Sequence, residues 1–115
     1  MTLPAGDPKL AAMSEARDER PESERRNVPA RVRALVRHAQ SASLSTLLAR
    51  DGSGHPYVSL VVVACDPAAT PILLLSDLAD HSRNLAADPR AALLFDGTAG
   101  LADPLAGARV ALLGR

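Results

Sequence analysis

Few residues in this chain of 115 could carry covalent or metal chemistry. Cys65 is the single cysteine, and no base or cation neighbours it in sequence, which predicts a small buried apolar side chain rather than a reactive thiol. The three histidines, His38, His55 and His81, do not form any metal-ligand spacing. The sequence has no nucleophile elbow, glycine-rich phosphate loop or zinc signature, so it indicates neither a covalent nor a metal-dependent site.

Composition limits the classes of molecule that the chain is expected to bind. Thirteen basic and thirteen acidic residues cancel to zero formal charge, so nothing favours binding to nucleic acid or anionic membrane. Tyr57 and Phe95 are the only aromatic residues, too few for a surface on which bases stack. A lone cysteine is typical of proteins in a reducing compartment. No secretory signal is visible, and apolar runs such as residues 60–65 are far shorter than the ~20 residues of a membrane helix. We therefore expect a cytoplasmic protein.

Residues 1–27 differ from the rest of the chain. Eleven of them are charged, and few are large and apolar, so the segment cannot bury enough surface to offset its ordering entropy. The sequence predicts a disordered charged tail over residues 1–27 and one domain over residues 28–115. The alternatives for the tail are a partner-binding segment or a short helix on the domain surface.

A helix is expected directly after this tail. Asn27 is a suitable N-cap, and Pro29 suits the first helical turn. Apolar residues recur at helical spacing and form one stripe: Val28, Val32, Leu35, Val36 and Ala39. The intervening Arg31, Arg33, Arg37 and His38 predict a solvated basic face, or alternatively a contact to phosphate or a partner.

The remainder alternates between strand and turn signals. Strands are predicted over residues 44–49, 57–65, 72–76, 90–95 and 108–113, with a short helix over residues 77–88. Asp77 or Asp80 is the expected cap of that helix, and Pro89 ends it. The third strand lacks polar alternation, which predicts that both of its faces are covered. The fold class is therefore α+β, and the last strand should leave an edge that continues or pairs with another chain.

Four stretches carry a family resemblance: residues 54–61 (GHPYVSLV), 74–85 (LLSDLADHSRNL), 87–91 (ADPRA) and 93–97 (LLFDG). With the preceding helix and strand, they make residues 28–115 resemble the N-terminal portion of the flavin-mononucleotide (FMN)-binding split-barrel family. That family includes pyridoxamine-phosphate oxidase and the haem-utilisation proteins, and the run SDLADHSRNL is most similar to the haem-utilisation branch.

The resemblance implies an antiparallel split β-barrel, here partial and apparently truncated at its C-terminus, with an N-terminal helix and a short helix after the third strand. It implies an FMN-dependent oxidoreductase-like domain that forms a homodimer with flavin at the interface, and haem is a further possible ligand. The alternatives are a non-catalytic haem- or flavin-binding protein and an inactive truncated fragment.

The resemblance also implies a cofactor site at the junction between the third strand and the next helix. Ser76 and Ser82 would donate hydroxyl groups to the flavin phosphate, and Arg83 would supply positive charge beside the free N–H groups of the helix. His81 and Asn84 would donate further hydrogen bonds.

Ser59 would lie near the edge of the flavin ring. Three of these residues also have an interpretation without a ligand. Arg83 would be a solvated charge on the helix, Asn84 would bond the local backbone, and Ser59 would be a polar position on a half-buried strand.

Departures from the family pattern exclude one of the reactions known for the family. Pyridoxamine-phosphate oxidases carry an Arg and a Lys on the second strand, where this chain has Ser59 and Ala64. At the start of the following helix they carry an Arg-Lys pair, and this chain has Asp80 and His81 at those positions. Each lost charge-assisted hydrogen bond is worth about 1.5–3 kcal/mol, so oxidation of pyridoxamine phosphate is not expected.

Overall fold

The computed structural model describes residues 19–115. They form two α-helices, α1 (Glu22–His38) and α2 (Asp80–Ala87), and one 3-10 helix (Pro104–Ala106). The strands are β1 (Ser41–Leu47), β2 (Pro56–Cys65), β3 (Pro71–Leu74), β4 (Ala91–Gly97) and β5 (Ala108–Gly114). No helix within this part of the chain combines the length and the apolar character needed to cross a bilayer.

The five strands form one antiparallel sheet in the order β3-β2-β1-β4-β5. β1 is central and pairs with β2 over its whole length and with β4 over residues 43–45. β3 and β5 are the edges, so the sheet is not closed. The predicted α+β class and the partial antiparallel split barrel are confirmed.

One face of the sheet carries the core. Leu44 on β1 lies opposite Leu93 on β4, and both are almost fully buried together with Phe95. α1 packs Val36 against this cluster, and Leu35 and Ala39 adjoin it, which confirms the apolar stripe read from the sequence. The arginines between these positions are exposed, also as expected.

α1 begins earlier than predicted. Its N-cap is Pro21, whose carbonyl accepts from Arg25 N at 3.1 Å, so the expected cap Asn27 and Pro29 lie inside the helix. Glutamates in the first turn favour this start because they complement the helix dipole, and Arg26 pairs with Glu22 one turn away. Residues 22–27 are thus helical rather than part of a tail, and residues 1–18 of the predicted tail lie outside the described part.

α2 also differs at its start. It begins at Asp80 after Ala79, with no side-chain cap, so neither Asp77 nor Asp80 acts as the predicted N-cap. A turn replaces the first predicted helical residues: Ala79 N donates to Ser76 O at 3.1 Å, and Leu78 N donates to Ser76 Oγ at 3.3 Å. Ser76 itself provides the acceptors that set the direction of the chain between β3 and α2.

Candidate functional site

The face of the sheet opposite the core is apolar and open over β2 and β3. We call this surface the outer face; its large side chains are each more than half exposed and comprise Val58, Leu60, Val62, Ile72 and Leu74. Val62 and Leu74 are paired across the two strands, so the surface is continuous. The prediction that both faces of the third strand are covered is therefore wrong within residues 19–115, since 77% of Leu74 is accessible. Exposed apolar patches of this kind mark binding surfaces in soluble proteins.

The segment between β3 and α2 directly follows Leu74 of the outer face, and we call residues 75–83 the junction. Ser76 follows Leu74 by two residues and is exposed. Ser82 Oγ donates to Ser76 O at 2.6 Å, and Ser76 Oγ accepts from Leu78 N. Both predicted phosphate-binding hydroxyls therefore also hold the turn together, although the Ser76 hydroxyl keeps its own proton for donation.

Charge at the junction is centred on Asp80. Its carboxylate lies 3.4 Å from Arg50 Nη1 and 3.9 Å from Arg83 Nη1, and both guanidinium groups are largely exposed. One carboxylate thus faces two cations at the start of a helix whose first turn has no side-chain cap. The exposed guanidinium groups of Arg50 and Arg83 are therefore the cationic groups available beside the start of α2, and Asp77 is a second acid in the same segment.

Arg50 was not found by sequence reasoning. It lies in the turn after β1, thirty positions from Asp80, and only the packing of α2 on β1 brings the two together. No local spacing signals such a pair.

Asn84 has the contacts of a structural residue. It is fully buried, its Oδ1 accepts from Ala49 N at 2.9 Å, and its Nδ2 donates to Thr46 Oγ1 at 3.0 Å. The side chain fastens α2 to the end of β1 and has no surface left for a ligand. The prediction that Asn84 contacts a cofactor does not fit this placement, because its amide replaces water for two buried polar groups.

Ser59 and His81 also point inward. Ser59 lies opposite Leu44 on the core side of β2, so its side chain is on the face opposite to Leu60. Ser59 Oγ and His81 Nε2 are buried and have no hydrogen-bond partner among the described residues. The six predicted residues therefore fall into two groups: Ser76, Ser82 and Arg83 at the surface of the junction, and Ser59, His81 and Asn84 turned to the interior.

No set of three or more His, Cys, Asp or Glu side chains in residues 19–115 is arranged to hold a metal ion. The junction presents hydroxyl, carboxylate and guanidinium groups to solvent, and the outer face presents aliphatic side chains.

Comparisons with known proteins agree with the fold. Residues 28–115 match the family model described as pyridoxamine 5'-phosphate oxidase. The "Non-canonical heme oxygenase HOZ, chloroplastic" of Arabidopsis thaliana is 36% identical over 64 residues, which cover 56% of this chain and 20% of that protein.

Solved structures are also similar. One shares 38% identity with a TM-score of 0.71 over 85% of this chain and 62% of that one. A heme binding protein from Mycobacterium smegmatis shares 34% identity with a TM-score of 0.64, over 84% of this chain and 36% of that one. Protein Atu2129 (unknown function) from Agrobacterium tumefaciens shares 29% identity with a TM-score of 0.66, over 84% and 38%. The chain thus spans less than two thirds of each of these relatives.

Proposed function

The chain belongs to the pyridoxamine 5'-phosphate oxidase family, and we propose that it is the FMN-binding part of a cytoplasmic oxidoreductase of the haem-utilisation type. The observation that carries the proposal is the outer face, which is apolar and open and is followed in the chain by a junction where two largely exposed guanidinium groups lie beside one carboxylate. An aromatic ring that bears a phosphate has these same two parts. When bound, flavin would supply the redox chemistry, and the chain would supply position and electrostatics.

The junction fits the phosphate end of FMN. The N–H groups of the first turn of α2 have no side-chain cap, and Arg50 and Arg83 are both within ion-pair distance of Asp80. A phosphate dianion would compete with that single carboxylate for both guanidinium groups. Ser76 is exposed beside them and can donate its hydroxyl proton.

The outer face fits the ring. Leu60 and Leu74 would pack against one side of it and exclude water, and the exposed backbone edge of β3 could bond its polar atoms. Ser59 and Asn84 do not fit contact with a ring placed there, since their side chains lie on the covered side. We therefore reassign the cofactor contacts to Ser76, Arg83, Arg50 and the outer face, with Ser82 as support for the turn.

A second copy of the chain is the proposed cover of the ring. The outer face leaves one side of a flat ligand open to water, and a homodimer that buries Leu60 and Leu74 would enclose it. Oxidation of pyridoxamine phosphate is not part of the proposal, because Ser59, Ala64 and Asp80 stand where that reaction uses cations.

Titration of the full chain with FMN and with riboflavin, followed by flavin fluorescence, tests the phosphate site. We expect weak binding that favours FMN, because the described sheet is open and leaves the ring poorly enclosed. Arg83→Ala should weaken FMN binding about threefold to tenfold and leave riboflavin binding unchanged. Arg33→Ala, an exposed arginine on α1, is the matched control. Equal affinity for FMN and riboflavin in the unaltered chain would contradict the proposal.

Haem binding without turnover is the second candidate. It is favoured by the Mycobacterium smegmatis relative, whose name states heme binding, whereas the relative named as a heme oxygenase favours haem degradation. A Soret band after haem addition that persists unchanged with an electron donor would support this function. Loss of the Soret band with release of an open-chain pigment would support degradation instead.

A further inference from the structure

A second concavity lies at the other edge of the sheet, between α1 and β5. Its volume is about 350 Å³, and it is lined on the helix side by Val28, Val32 and Leu35 and on the strand side by Val110. Gly107 and Ala108 complete the wall. We call it the α1–β5 cavity; it shares no lining residue with the outer face or the junction.

The charged residues around this cavity are all of one sign. Arg20, Arg31 and Arg109 line it, and no carboxylate does. Arg31 has no hydrogen bond or ion pair with any residue in 19–115, whereas Arg109 makes 3.4 Å contacts to the carbonyls of Pro104 and Leu105. Arg31 and Arg109 therefore bring positive charge to an apolar hollow that no acidic residue lines, which favours an anion.

Asp96 is the nearest acid across the sheet, and it offsets part of the charge of Arg109, with which it is paired in the β4–β5 ladder. Hydrogen bonds from Thr98 N at 2.9 Å and from Thr98 Oγ1 lower the pKa of Asp96, and the charge of Arg109 contributes to the same shift. Arg31 is thus the cation beside the cavity that has no ion pair in residues 19–115. Asp96 is not among the residues that line the cavity.

The apolar floor is held in place by close packing. A Cβ added at Gly97 would lie 2.8 Å from Leu35 Cδ1 and 2.8 Å from Ala108 O, so α1 sits directly on the end of β4. Leu35 is therefore held close to the point where the end of β4 meets the start of β5. A fixed apolar floor with a cationic rim is the usual construction of a small-molecule site.

We propose that the α1–β5 cavity binds an organic anion with an apolar body, such as a medium-chain carboxylate. The apolar chain lies on Val32, Leu35 and Val110, and the carboxylate pairs with Arg31 and Arg109 at the rim. The size of the cavity is at the lower end for ligand sites, which limits the ligand to a small one. This site is independent of the proposed flavin function, because the two lie at opposite edges of the sheet.

The test uses the full chain labelled with 15N and titrated with octanoate and, separately, with octanol, which has the same chain length and no charge. Octanoate should shift the amide signals of Gly107, Ala108 and Val110 at concentrations at least threefold lower than octanol does. Arg31→Gln should remove that difference. Arg33→Gln, on the same helix but outside the cavity, should preserve it.

Three outcomes would overturn the proposal. They are equal responses to octanoate and octanol, equal losses in the Arg31→Gln and Arg33→Gln variants, and shifts confined to the outer face. Contacts from residues 1–18 to Val32 in the ligand-free chain would assign the cavity to the N-terminal segment instead and would also overturn it. Flavin titrations separate the two proposals, since neither Arg31→Gln nor octanoate should change FMN binding.

Discussion

The two faces of the sheet are built from alternating residues of the same strands, yet they differ in how far their apolar side chains are exposed to water. On the core side, Leu44 and Phe95 are fully buried, while on the outer face Leu60 and Leu74 are each 77% exposed. Ser59 and Leu60 are neighbours in sequence and point to opposite sides. The core face supplies the stability of the domain, and the outer face retains an apolar area whose burial remains available for binding.

The largest expected difference between the faces is in stability. Leu44→Ala should lower the free energy of unfolding by about 2–5 kcal/mol, because it removes buried methyl groups and leaves a cavity. Leu60→Ala should change it far less, since its side chain is mostly in water. Urea unfolding at low protein concentration measures both. A loss for Leu60→Ala equal to that for Leu44→Ala would show that the outer face is covered within one chain.

A smaller loss of stability is expected when the contact between α2 and the end of β1 is removed. Asn84→Ala should cost about 1–3 kcal/mol, because Ala49 N and Thr46 Oγ1 lose their buried partner. Asn27→Ala, at an exposed position inside α1, is the control and should be neutral or slightly stabilising. Thermal unfolding compares the two variants. Equal stability of both would argue that water replaces the amide of Asn84.

Substitutions on the outer face should change dimerisation rather than the stability of the fold. If a second copy covers it, Leu60→Asp should weaken dimerisation at least tenfold, about 1.4 kcal/mol, because a carboxylate would be buried without a partner. Leu105→Asp, at a leucine of equal exposure on the 3-10 helix, should leave dimerisation unchanged. Sedimentation over a range of concentrations measures both, and a monomeric unaltered chain would reject the homodimer.

The smallest effect concerns a pair that belongs to neither face. Arg90 donates to both carboxylate oxygens of Asp88 and holds the pKa of that carboxyl at about 2, below its usual value of 3.8. The native state therefore favours the charged form, so this contribution is present above about pH 4 and is lost as the pH falls towards 2. Asp88→Asn should flatten the dependence of Tm on pH in that window, whereas an unchanged slope would exclude the pair as its source.

The sequence was sufficient to predict the order of the two helices and five strands and the apolar stripe of α1. The stripe around Val36 identifies the side of the helix that packs on the core, because burial imposes a helical period on apolar residues. The run of Val in β2 predicts a strand but not its core side, since Val61 and Val63 are buried and Val62 between them is exposed. The open side of β3 could not be predicted. A run such as Ile72 to Leu75 has the same pattern whether its second face is covered by a helix or left for another molecule.

The site was only partly predictable for a similar reason. Sequence placed Ser76, Ser82 and Arg83 together because they are close along the chain, and the structure keeps them at one junction. It did not reveal that Asn84 turns inward to Thr46 or that Arg50 joins Asp80, since both contacts depend on how α2 lies on β1.

The sheet order has a consequence for how fast the chain folds. β1, β2 and β3 form one meander and β4 and β5 form one hairpin, so each unit can assemble from contacts that are near in sequence. Among the described strands, the two units are hydrogen-bonded to each other only through the short ladder between residues 43–45 and 92–94, and α1 packs across both. Closing that long loop is the slow entropic step, and we expect the joining of the two units, rather than the formation of either, to set the refolding rate.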